Sequence, residues 1–291
     1  MDTLTMNKQL EKYEKIRLSI TNEANKKFKR SLLIGILLTP VFGLGLIIIA
    51  IAFSTRNANM AALSSELKDN LIVEVVKDTL DDAIYNKSAG ISLSRVLSTG
   101  LFRGYSSYFS EDLLYGTYKN MKYESADLVL NTIIETAGVN GNTVRSEIPM
   151  FKGKFISIDL INNKDLVVIV TEKKKNNDSS ENTNYKKIML ESMAFNNKFL
   201  TVASSEQDAF YVLTPQLQEK MLELETKFRG SINYVFKDGY LYILINDGRD
   251  SLEVFPNKKI DEKFYNSIIS DITISCAIID EFSLDATKWT K

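Results

Sequence analysis

The chain has 291 residues, with 36 Lys and Arg against 37 Asp and Glu, a formal net charge of −1, no histidine and one cysteine. Without histidine, Ser-His-Asp and Cys-His nucleophilic chemistry and every histidine-containing zinc site are excluded, and a lone cysteine removes thiolate metal sites and internal disulfides. Acidic and basic residues are mixed along the chain, so it lacks the basic face of a nucleic-acid binder; any metal would be a hard cation on carboxylates, and no cofactor signature is present.

Residues 1–30 read as a basic helix, with Leu10, Tyr13, Ile16, Ile20, Ala24 and Phe28 on one face at spacings of three and four. The run from Ser31 to Phe53 then carries no charge. At 1.5 Å rise per residue its length matches a hydrocarbon core of roughly 30 Å, which predicts a transmembrane segment contacting lipid through Leu32 to Phe53. Thr39-Pro40 and Gly43-Leu44-Gly45 interrupt it, so a re-entrant hairpin with its apex at Pro40–Gly45 is the alternative. Lys26, Lys27, Lys29 and Arg30 precede the run and Arg56 follows it. The positive-inside rule therefore places the N-terminus in the cytoplasm of a cell-membrane protein; a single crossing would put the rest outside.

Residues 59–85 read as helical, followed by a short helix from Leu93 to Leu101. Residues 54–104 form a helical linker region on this reading, and 105–291 a soluble α+β domain with a mainly antiparallel sheet and flanking helices. Strands are predicted over Leu114–Met121, Ala126–Ile134, Phe151–Ile161, Leu166–Thr171, Ile188–Met193, Lys198–Ala203 and Ala209–Leu213. Lys173–Lys187 reads as an exposed polar loop. Thr214 is placed as an N-cap with Pro215 at the first helical position and Gly230 beyond the end. Asp238-Gly239 joins two strands as a tight hairpin, and a last helix runs from about Asp261 to Glu281 with Cys276 on its apolar face as a buried thiol. Asp247-Gly248-Arg249-Asp250 reads as a plain turn, since it lacks the further acidic ligands of a calcium loop.

The segment Gly104–Leu128 is the densest in candidate functional residues. Tyr105, Tyr108, Phe109, Tyr115, Tyr118 and Tyr123 accompany Glu111, Asp112, Glu124 and Asp127. Tyrosines among glycines and carboxylates suit an amphipathic contact surface for a protein or a lipid headgroup. Two carboxylates held apart would instead suit general acid–base work. The simplest reading is structural, with Ser110 capping a turn and alternate tyrosines lining a half-exposed strand.

Phe109-Ser110-Glu111-Asp112 with Gly116 and Tyr123-Glu124, then Phe151-Lys152-Gly153-Lys154-Phe155 with Asp159, then Leu213-Thr214-Pro215, and finally Ile279-Asp280-Glu281, Leu284, Thr287 and Trp289 to Lys291, occur in that order. In this the chain resembles a family of uncharacterised bacterial membrane proteins, domain of unknown function 3137. The resemblance implies a basic N-terminal helix, a membrane region and a mixed soluble domain with no assigned activity. The family's membrane region often resembles a two-helix hairpin that keeps both ends in the cytoplasm, whereas this sequence has one short run. The expectation is a membrane-anchored binding or scaffolding module, with a carboxylate-dependent hydrolase as the alternative.

Overall fold

A computed structural model describes residues 3–40, 43–137, 142–160, 165–173 and 185–290. Residues 174–184 of the expected polar loop lie outside the described residues, as do Gly138 and Gly141. The chain divides into two compact units: Met1–Asp81 with Leu252–Ile272, and Asp82–Ser251 with Thr273–Lys291.

The first unit is helical. α1 (Thr3–Leu38) carries the basic N-terminal sequence straight into the apolar run, and α2 (Leu44–Leu67) carries the rest of that run away again. The uncharged stretch is therefore two helix ends, not the continuous helix its length suggested. Pro40 has no N–H and disfavours the helical conformation of Thr39 before it. Gly43 takes the left-handed conformation at φ 73°, which starts the return. α1 and α2 lie antiparallel. The Phe28 and Phe53 rings meet edge to face at 4.8 Å, and Arg56 Nε donates to Asn25 Oδ1 at 3.1 Å. Near the apex the backbones approach so closely that a Cβ on Gly45 would overlap the Gly35 carbonyl oxygen.

α2 continues through a π-turn at Lys68–Ile72 into α3 (Val73–Thr79). At its polar end α1 is fixed by hydrogen bonds. Gln9 donates to Asp78 at 2.6 Å, Tyr13 donates to Glu74, and Arg17 donates to the Pro256 carbonyl at 2.8 Å. The helix Leu44–Thr79 is long and apolar enough to cross a membrane, by length and composition.

Among the described residues the second unit holds one nine-stranded antiparallel sheet, so the fold is α+β. Its strands are β1 (Ala83–Asn86), β2 (Ser107–Tyr118), β3 (Met121–Ala137), β4 (Thr143–Asp159), β5 (Val167–Glu172), β6 (Lys186–Ile188), β7 (Phe199–Ala203), β8 (Ser231–Lys237) and β9 (Tyr240–Asn246), in the order β1-β2-β3-β4-β9-β8-β5-β7-β6. Between β1 and β2 lies α4 (Leu93–Ser98), which Ser92 caps. α5 (Met193–Lys198), α6 (Glu206–Val212) and α7 (Pro215–Thr226) follow, then α8 (Glu262–Glu281), whose residues are shared between the units, and α9 (Thr287–Thr290).

Side chains alternate across the sheet, so the register assigns them to two faces. On one face Ala126, Leu128, Leu130, Phe155, Tyr242 and Leu244 form a buried cluster with Val96 of α4. On the other, Tyr234 donates to the Met221 carbonyl of α7 at 3.1 Å and its ring meets Phe282 at 6.0 Å. Tyr123 lies on this second face, near the thiol of Cys276.

Several local expectations hold. Thr214 caps α7 with Pro215 at its start, Asp238 and Gly239 take φ 50° and 78° between β8 and β9, and Cys276 is buried. Three differ. β1 occupies residues expected to be helical, because α3 stops before the Asp81-Asp82 turn. Residues 209–212 lie in α6, not a strand, since Ser205 accepts from the Asp208 N–H at 3.1 Å and nucleates a helix with acidic residues in its first turn. The strand expected through Met121 is broken at Lys119 and Asn120, whose φ angles of 48° and 64° make a two-residue hairpin turn without glycine. β3 and β4 also run well past their neighbours. From Ile133–Ala137 against Thr143–Glu147 they pair, among the described residues, only with each other and are exposed.

Candidate functional site: a charged cavity on the sheet face

The site is assembled from strand register. Ile84 pairs with Tyr115, Tyr115 with Glu124, Glu124 with Ser157, and Ser157 with Tyr242. This rank runs across five strands on the face that α4 covers. Two residues along, Thr117 pairs with Lys122 and Asp159 with Tyr240, while the Asp82 carbonyl accepts from the Thr117 N–H at 3.0 Å. The second rank therefore reads Asp82, Thr117, Lys122, Asp159, Tyr240. Above these ranks opens a cavity of about 390 Å³, at the low end of the usual range for small-molecule sites.

Arg95 of α4 forms the roof. Its Nη1 pairs with Glu124 at 2.6 Å and donates to Ser157 Oγ at 3.2 Å, and its guanidinium lies 4.8 Å from the centre of the Tyr240 ring. α4 is itself tied down. Val96 is fully buried, Lys237 Nζ donates to the Ser98 carbonyl at 2.8 Å, and Ser98 Oγ donates to the Tyr242 hydroxyl at 3.4 Å. Tyr240 stacks on Tyr242 at 5.6 Å. The arginine is thus held on one edge and one face before any ligand arrives, which lowers the entropic cost of using it. Gly116 lets β1 approach β2: a Cβ there would overlap the Asp82 carbonyl oxygen.

Of the residues singled out in the sequence, Tyr115 and Glu124 meet in this cavity, and the Tyr123 backbone borders it. The others go elsewhere. Tyr105 and Tyr108 pack on the buried cluster, with the Tyr108 hydroxyl on the Ile91 carbonyl. Tyr118 donates to Asp280 at 3.0 Å beside the Lys119–Asp280 ion pair. Phe109 is exposed. Burial pushes the Tyr108 and Tyr123 phenols above their usual range, and the bond to Asp280 does the same for Tyr118. None of the three is therefore poised for proton transfer near neutrality.

Ser110 caps no turn. It lies in β2, where its Oγ donates to the Asp127 carbonyl at 2.7 Å and accepts from the Ile91 N–H at 3.1 Å. Asp112 sits at a bulge, buried, with φ 59°, and accepts from the Tyr85 hydroxyl at 2.5 Å. Glu111, Asp112 and Asp250 bring carboxylate oxygens within 4.8 Å of one another, the donor type for a hard cation. Asp127 pairs instead with Lys154.

Arg95, Lys122 and Tyr240 were not singled out in the sequence, and Asp159 entered only among the residues that carry the family resemblance. Only the Lys119-Asn120 turn would have revealed the register that aligns Lys122 with Thr117 and Glu124 with Tyr115.

Residues 149–284 match the family described as "Protein of unknown function (DUF3137)". No curated protein matches the sequence. Among solved structures, the crystal structure of the mycobacterial trehalose monomycolate transport factor A is similar at 7% identity, covering 71% of this chain and 94% of that one, with a TM-score of 0.36. A score that low supports no argument about fold or function.

Proposed function

Because the chain resembles the DUF3137 family over residues 149–284, whose function is unknown, we propose from its own geometry that it is a membrane-anchored binding module. One observation carries the anchoring. Leu33, Ile36, Leu37, Leu44, Leu46, Ile47 and Ile51 are all exposed around the apex of the α1–α2 hairpin. Apolar surface of that size on a helix tip is stable only when something apolar covers it. The basic residues Lys26, Lys27, Lys29, Arg30 and Arg56 follow immediately behind, at the position of lipid headgroups.

The uncharged ends of α1 and α2, residues 31–38 and 44–55, reach roughly 12–18 Å, about half a hydrocarbon core of roughly 30 Å, and a full crossing by α2 would draw Arg56 into that core. The hairpin therefore dips into one leaflet and returns, leaving the N-terminus and the chain beyond α3 on the same, cytoplasmic side. Its apex backbone is shielded by the close helix–helix contact at Gly35 and Gly45.

Flotation of the full-length chain with phosphatidylglycerol-containing vesicles tests the anchor. The protein is expected in the lipid fraction and to leave it on Leu37→Asp/Ile47→Asp substitution. Recovery of the unsubstituted chain from the aqueous fraction without detergent would sink the proposal. Cysteines introduced at Lys8 and Asp238, with Cys276→Ala, are expected to label from the same side of the membrane.

A further inference from the structure

We propose that the cavity beneath Arg95 binds a small zwitterion with an apolar body, the chemistry of a free amino acid with an aromatic or aliphatic side chain. The inference rests on the binding-module reading and names the ligand class of that site. Its first support is the spare capacity of both charge signs. Arg95 commits only Nη1, so Nε and both Nη2 protons have no protein acceptor among the described residues. Lys122 is exposed and makes no ion pair among the described residues, and neither do the Asp82 and Asp159 carboxylates. An open guanidinium edge matches a carboxylate in bidentate geometry, and the free aspartates match an ammonium.

Charge balance selects between ligands. A simple anion would gain Arg95 and Lys122 but approach three carboxylates, Asp82, Glu124 and Asp159. A simple cation would gain the aspartates but meet the arginine and lysine. A molecule carrying both charges satisfies both sets, and like-charge proximity then orients it. Lys122 and Asp159 sit on adjacent strands, which lie about 4.8 Å apart, a spacing that the two charged ends of an amino acid can bridge.

The walls supply the second support. Ile84 and Tyr115 line the cavity and are 56% and 42% exposed, a large share for apolar side chains flanking a concave surface. An aliphatic or aromatic side chain laid against them would remove that surface from water.

Titration calorimetry on the full-length chain in detergent micelles tests the proposal with four probes: L-phenylalanine, L-phenylalaninamide, 3-phenylpropionate and glucose. L-phenylalanine is expected to bind. The amide, which lacks the carboxylate, and the propionate, which lacks the amine, are expected to bind at least about tenfold more weakly, the scale of one lost charge-assisted contact. Arg95→Gln and Lys122→Gln should each weaken L-phenylalanine similarly. Tyr115→Ala, an exposed change that leaves the sheet register intact, should weaken it without touching either charge. Equal binding of the singly charged analogues, preference for glucose, no binding by any probe, or indifference to all three variants would overturn the inference. Flotation of the same preparation separates the two failures: lost binding with retained flotation defeats the ligand assignment alone, and the reverse defeats the anchor alone.

Discussion

Asp127 and Lys154 stand directly opposite one another on β3 and β4, 3.6 Å apart, each with a side chain only 7% exposed. Asp127 Oδ2 also accepts from the Ser251 N–H at 2.5 Å, while its Oδ1 makes no hydrogen bond. Breaking such a pair leaves one buried charge without compensation. Lys154→Met alone should destabilise the sheet unit by about 3–5 kcal/mol. Asp127→Asn/Lys154→Met should cost less than the sum of the two single changes, since both charges leave together. Urea unfolding of the four proteins measures the coupling, and strict additivity would show that the two residues do not interact.

Gly116 and Gly45 each mark a close backbone approach, one in each unit. Gly116→Val forces β1 away from β2 and is expected to cost about 1–3 kcal/mol, as overpacked positions do. It should also open one wall of the cavity beside Asp82 and Ile84. Gly45→Leu separates α1 from α2 near the apex and should lower helical content in micelles with little effect on the unfolding of the sheet unit. Circular dichroism and urea titration distinguish these outcomes.

Lys288 supplies a pH dependence. Its Nζ donates to the carbonyls of Tyr211 and Val212 and lies over the Tyr211 and Trp289 rings, yet burial pushes its pKa down to about 8. In the unfolded chain the value returns to about 10.4. Between these values the unfolded state binds more protons, so this group makes stability rise with pH, and its penalty is present in full below pH 8. Unfolding measured at about pH 7.5 and about pH 9.5 should show a gain that Lys288→Met removes. The same slope in both proteins would refute the assignment.

Burial likewise raises the Cys276 thiol, which lies near Tyr123. Alkylation in the folded protein is therefore expected to run at least about tenfold slower than in urea, because the thiolate is both scarce and covered. Rapid modification without denaturant would place Cys276 at the surface.

Much of the fold was readable where a single residue type dictates local geometry. Thr214-Pro215 opened a helix, and Asp238-Gly239 closed a hairpin. Where geometry came from unlikely residues, the reading failed. Lys119-Asn120 turns with neither glycine nor aspartate, and β-branched Val212 beside aromatic residues disguised α6 as a strand. The apolar run was recognised, but Pro40 and Gly43 decided between one helix and two, and hydropathy alone does not weigh them. The cavity was half legible. Tyr115 and Glu124 stand in the tyrosine-rich segment, but their partners arrive from β1, β4, β9 and α4, far along the chain, and alternation within one strand gives no cross-strand register.

The extended part of β3 and β4 leaves both outer edges of a two-stranded ribbon facing water. Outward-directed amides there have no third strand among the described residues to shield them, so they will surrender their protons to deuterium long before those of β8 or β9. The same bare edges make Ile133–Ala137 the natural first target for a protease, and a clip there would leave the nine-stranded body standing.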